Sequence, residues 1–194
     1  MVFAGKDKTA LAAALTAAIT AAMIALVSLA GASTASAAST QERIGGLARQ
    51  GEFRRDRFLG VLFQFDRVRD LRIAHLTLKD PEAYSLQLGR VERFTVEDIT
   101  FDHNLRKMNM DGVHVHGPAR FGRISNIKGA TNDDMVALNA DDGGIYEMSR
   151  GPIEDISVDG LYADNGYTAV RLLSCGSPVR RGRISNVFGT YRYH

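Results

Sequence analysis

One four-residue pattern, apolar–x–polar or Gly–apolar, recurs five times and restricts the folds open to this chain. It reads Ile73-Ala-His-Leu76, Val96-Glu-Asp-Ile99, Ile124-Ser-Asn-Ile127, Val158-Asp-Gly-Leu161 and Ile184-Ser-Asn-Val187, at spacings of 23, 28, 34 and 26 residues. An alternating segment precedes each copy, with inward positions at Phe63, Leu86, Val113, Val136 and Val170, spaced 23, 27, 23 and 34. Alternation with a period of two marks strands and excludes helical repeats. Two strand series advancing together mark a solenoid whose stacked coils bury a shared core. Leucine-rich repeats would need a leucine ladder that this sequence lacks. The expected fold is all-β, a right-handed parallel β-helix of about five coils over residues 59–194. Unequal spacings place insertions in loops, chiefly Asp141–Pro152, and the polar or glycine third position of the motif suits a corner.

The stretch ahead of the repeat is different in kind. Lys6 and Lys8 precede a run without charge from Thr9 to Gln41, and Ala35-Ser-Ala37 ends its apolar part. A basic start, an apolar stretch and a small-x-small end predict a secretory signal over residues 1–38, cleaved near Ala37 or Ala38, and hence a secreted or extracytoplasmic product. An uncleaved membrane anchor and an Ala-rich helix capping the solenoid are the alternatives. Residues 39–58, with Arg43, Arg49, Arg54, Arg55 and Arg57 at no clear period, read as a solvated linker. Cys175 is the single cysteine, so no intrachain disulfide forms, and its apolar neighbours predict a small buried side chain. A net charge of +2 makes no strong electrostatic case for nucleic acid. The last strand series runs to Tyr191-Arg-Tyr-His194 without a capping helix, so the chain reads as part of a longer solenoid.

Acidic side chains gather at one place in this pattern. Asn109-Met-Asp-Gly-Val-His-Val-His-Gly117 is followed one coil later by Asn132-Asp-Asp-Met-Val-Ala-Leu-Asn139, and Asp111 precedes Asp134 by 23 residues, as Val113 precedes Val136. Adjacent rungs lie roughly 5 Å apart, which would bring Asp111, Asp133 and Asp134 into one patch. Outward positions would form one ladder of Gln64, Gln87, His114, Ala137 and Arg171, and another including His116, Asn139 and Leu173. Such a polar face suits a groove for an extended polar ligand. Crowded carboxylates suit glycoside hydrolysis, in which one protonates the leaving oxygen and another activates water. A gap of roughly 6.5–9.5 Å would hold that water and give inversion. Turn-forming Asp and Asn at corners, or Ca²⁺ ligation joined by Asp141 and Asp142, are the competing readings of the same residues. His114 and His116 read as surface polar decoration or as contacts to substrate hydroxyl or carboxylate. Arg171 would fork onto a sugar carboxylate or bridge to a neighbouring rung.

With these residues in view, residues 57–194 resemble the pectin-lyase-like β-helices, and most closely glycoside hydrolase family 28, the polygalacturonases and their relatives. Asn109-Met-Asp111-Gly112 resembles that family's Asn-Thr-Asp-Gly, Asp133-Asp134 its Asp-Asp pair, and Leu78–Tyr84 the segment before its central coils. The resemblance implies Asp133 as general acid and Asp111 with Asp134 as the water-activating pair, with inversion. Arg171 is similar to the arginine of the Arg-Ile-Lys motif, although Leu173 stands at the lysine position, and no Gly-His-Gly follows the acidic pair. The implied partner is a pectin-like or other plant-type polysaccharide, bound through Gln87, His114, His116, Asn139 and Arg171, with no cofactor and no metal. A Ca²⁺-dependent lyase and a non-catalytic carbohydrate-binding β-helix are the alternatives.

Overall fold

The structure, a computed structural model, describes residues 60–142 and 148–193. The expected signal and linker lie outside the described residues. Among the described residues no helix is long and apolar enough to cross a membrane. They form nine strands: β1 (Phe63–Asp66), β2 (Arg69–Lys79), β3 (Leu86–Asp102), β4 (Val113–Ala130), β5 (Asp134–Asp141), β6 (Ile153–Gly166), β7 (Thr168–Ser174), β8 (Val179–Arg180) and β9 (Arg183–Tyr191). All pairings are parallel. One face stacks in the order β1-β3-β4-β5-β7, and a second stacks β2, β3, β4, β6 and β9. This is a parallel β-helix of about five coils.

The register follows the alternation. Phe63, Leu86, Val113, Val136 and Val170 pair in succession on the first face. Ile73, Val96, Ile124, Val158 and Ile184 do so on the second. The middle members of both ladders are fully buried, so a one-residue slip would turn this apolar set outward. The fifth coil is covered on one side only among the described residues. Its Leu172, Ile184, Val187 and Phe188 are accordingly exposed. Cys175 lies on that coil and is exposed as well, correcting the expectation of a buried thiol. Local apolar composition says nothing about whether another coil lies above.

Two corner ladders bend each coil. The third motif position, His75, Asp98, Asn126, Gly160 and Asn186, is left-handed throughout, with φ between 53° and 75°. Asn126 donates to the Asp98 carboxylate, and Asn186 donates to Asp159 at 2.7 Å, so these polar side chains hold one coil to the next. A second left-handed ladder runs through Asp70, Arg93, Phe121, Asp155 and Arg181. Side chains with a Cβ disfavour this conformation. Here forked ion pairs accompany it, Arg93 on Asp70 and Arg181 on Asp155. Beside it Arg69, Glu92, Arg120, Glu154 and Arg180 pair in succession, alternating in sign from coil to coil. Each contact is weak at this solvent-facing edge, and opposite charges directly across the ladder favour the observed register.

Candidate active site

The acidic patch is built by backbone hydrogen bonds at the corner entering the first face. Ser85 N–H donates to Asp111 C=O, Leu86 N–H to Gly112 C=O and Gly112 N–H to Asp134 C=O, each at 2.9 Å. With Val113 paired to Val136, these bonds place Asp111 one coil from Asp134. Gly112 is needed here for space. A Cβ on it would lie 2.4 Å from the Phe101 ring and 2.5 Å from the Met135 carbonyl oxygen. Gly112→Ala is therefore expected to cost about 1–3 kcal/mol, measured by denaturant unfolding, and to disturb the acids on either side.

Asp111, Asp133 and Asp134 each present an oxygen, and the three lie within 4.8 Å of one another. That is tighter than the roughly 6.5–9.5 Å expected for an intervening water. The three differ in access: Asp111 and Asp134 are each 3% exposed, whereas Asp133 is half-buried. Burial, reinforced by Asp133, pushes the Asp111 carboxyl well above the usual carboxylate range, against the pull of Arg171. Burial and the charges of Asp111 and Asp133 push Asp134 to about 7. Asp133 is raised too, by burial, while Arg171, the Asp134 N–H and His114 oppose the shift. Like charges this close cannot all persist, and the cluster titrates as a unit that retains protons towards neutral pH. The same three oxygens have the chemistry to ligate a divalent cation. Asp141 is not part of the cluster; Ser177 Oγ donates to its carboxylate at 3.4 Å.

The expected outward ladders exist in register but do not form an open polar face. Gln87 is 4% exposed, His114 2%, His116 0% and Asn139 2%. The two histidines are therefore not surface decoration. His114 stacks on Tyr84 with ring centroids 4.0 Å apart, and His116 lies 4.6 Å from His114. Asn139 Nδ2 donates to His114 Nε2 at 2.9 Å, which leaves Nδ1–H of the neutral ring facing Asp111 Oδ2 at 2.5 Å. Burial holds His114 in that neutral form, with its pKa lowered to about 3. Gln87 donates to His116 Nε2 at 3.0 Å. These polar groups bond chiefly to one another, because rungs stack too closely to leave them in water, and among the described residues Asn139 Oδ1 is left without a hydrogen-bond partner. Arg171 is the open member, 46% exposed, with Nη1 3.5 Å from Asp134 Oδ2. It bridges to the neighbouring rung, the second of its two expected arrangements. Sequence reasoning gave Tyr84 no role at the site. Its position in the Leu78–Tyr84 resemblance segment was the available signal.

The model of the glycosyl hydrolases family 28 matches residues 11–185. The chain belongs to glycoside hydrolase family 28. No curated protein and no solved structure matches it. Membership supports hydrolysis of glycosidic bonds and a polysaccharide substrate. It also gives a frame for the departure noted above. Where Gly-His-Gly is expected after the acidic pair, the coil stacked on this family 28 chain's Asp pair carries Gly166-Tyr167-Thr168.

Proposed function

We propose that this chain cleaves a pectin-like acidic polysaccharide by an inverting displacement, with Asp133 as general acid and Asp111 and Asp134 acting together on the attacking water. The observation that carries the assignment is the difference in access among three acids held within 4.8 Å. The short spacing alone would suit a retaining pair, and access decides against it: a bulky glycosidic oxygen meets the half-open Asp133. The nearly closed carboxylates of Asp111 and Asp134 suit a molecule as small as water and cannot readily approach a sugar carbon themselves, which argues against a covalent intermediate. His114, gripped by Asn139 and stacked on Tyr84, fixes Asp111, while Gln87 and His116 support that layer from the next rung. The three raised acids share their protons, and the working state is the one in which Asp133 keeps a proton while Arg171, 3.5 Å away, holds Asp134 ionised; Arg171 also has open surface from which to meet a sugar carboxylate. We further place the mature product outside the cytoplasm, after removal of residues 1–38; the N-terminal sequence of protein recovered from the medium checks this.

The test is reducing-end release from polygalacturonate and a panel of plant polysaccharides, with the first product's anomeric form followed by proton NMR. Inverted product, undiminished by chelator, is expected. A retained anomer would refute the water-activating role, and an unsaturated, chelator-sensitive product would indicate a lyase working through a cation at the three acids. A folded chain that binds polysaccharide but releases nothing would indicate a carbohydrate-binding solenoid.

A further inference from the structure

The corner that presents Asp133 continues over the next coils as an aromatic stack outside the acid chemistry. Pairing of Asp134 with Thr168 sets Tyr167 one coil above Asp133. Tyr167 N–H donates to Thr131 C=O at 3.2 Å, and Tyr193 N–H to Tyr167 C=O at 2.9 Å, so the three corners are in line. The Tyr167 and Tyr193 rings lie 4.2 Å apart, tilted by 31°. The Arg192 guanidinium carbon is 5.4 Å from the Tyr167 centroid, and Nη2 donates to Asn132 Oδ1 at 2.6 Å. Asn132 directly precedes Asp133, so one side-chain link ties the aromatic pair to the segment presenting the open acid.

Tyr193 is 56% exposed and Tyr167 is half-buried, so neither contributes its ring to the core. A pyranose has an apolar face of C–H bonds and a rim of hydroxyls, matching an aromatic ring with a phenolic edge. We propose that Tyr167 and Tyr193 form a stacking platform for the sugar ring next to the one cleaved, held in position by Arg192. The platform rests on the hydrolase reading above and adds to it a specific binding surface, one coil beyond the acids. Partial burial, then Tyr193 and the charges of Asp133 and Asp134, raise the Tyr167 phenol above its ordinary value against the pull of Arg192, which keeps it a hydrogen-bond donor.

The chain has no tryptophan, and two of its six tyrosines form this pair, so the part of the tyrosine signal lost in Tyr193→Ala and Tyr167→Ala reports on the platform. The experiment uses the full chain carrying Asp133→Asn, titrated by calorimetry and by tyrosine signal with the trimer of the polymer it cleaves, oligogalacturonate first. Tyr193→Ala and Tyr167→Ala are each expected to weaken binding about tenfold, whereas Tyr167→Phe keeps the ring and the affinity. In the active enzyme both alanine changes should raise KM by a similar factor and leave kcat within about twofold. An enzyme that cleaves normally while Tyr193→Ala changes neither affinity nor KM overturns the platform alone. A parent that neither binds nor cleaves any polysaccharide overturns the platform together with the hydrolase reading.

Discussion

Asp133→Asn is expected to lower kcat on polysaccharide by about 10²–10⁴-fold while the β-helix keeps its circular dichroism and loses none of its thermal midpoint. The fold should survive because the Asp133 contact at this corner is made by its backbone: Thr131 Oγ1 donates to the Asp133 carbonyl at 2.7 Å, and asparagine retains that carbonyl. The chemistry should not survive, because an amide cannot protonate a departing oxygen. Two signatures separate loss of an acid from general damage. Aryl glycosides whose leaving groups depart without a proton should be cleaved by the variant far better than polymer is, relative to the parent. The parent's activity should fall as pH rises through the raised pKa of Asp133, since its protonated form is the working one, and the variant should lack that alkaline limb. With three acids so close, the limb reports the cluster and not a single residue. Equal losses on both substrate types, with the limb unchanged, would move the acid role away from Asp133.

The stacking of coils was legible in the sequence because apolar alternation and near-constant spacing specify register. Phe63, Leu86, Val113, Val136 and Val170 align by spacing alone, and that alignment brings Asp111 beside Asp134. Exposure was less legible. Alternation told that His114 and His116 point away from the apolar core, yet Tyr84, Gln87 and Asn139 cover them from neighbouring rungs. Cys175 shows the reverse, an apolar neighbourhood left uncovered among the described residues. Both outcomes depend on what packs over a side chain from 25 or more residues away. The left-handed ladder at Asp70, Arg93, Phe121, Asp155 and Arg181 was hidden for another reason. Neither arginine nor phenylalanine advertises that conformation, and it emerges only when the coils are stacked and the ion pairs counted.

Asp134→Asn should make the protein more stable at pH 8 and leave it little changed at pH 4. The Asp134 carboxyl has a pKa of about 7 in the fold, against an ordinary value of 3.8. Between those values the native chain binds a proton that the unfolded chain has released, so stability is fully present below about pH 4 and declines as pH rises towards 7. Asparagine never ionises and escapes that decline. The gain at pH 8 is about 1–3 kcal/mol, or several degrees in thermal midpoint, less than the full shift would give because Arg171 loses its partner and Asp111 shares the titration. Arg171 is 46% exposed and can return to water at small cost. The same substitution should abolish most turnover, because a neutral amide cannot take a proton from the attacking water. Chemical denaturation at the two pH values checks the sign: equal destabilisation at both would mean that Arg171 keeps Asp134 ionised, and that the crowding of the three acids is weaker than their burial implies. Stability gained where activity is lost is the pattern expected when a chain holds like charges together for chemistry and not for the fold.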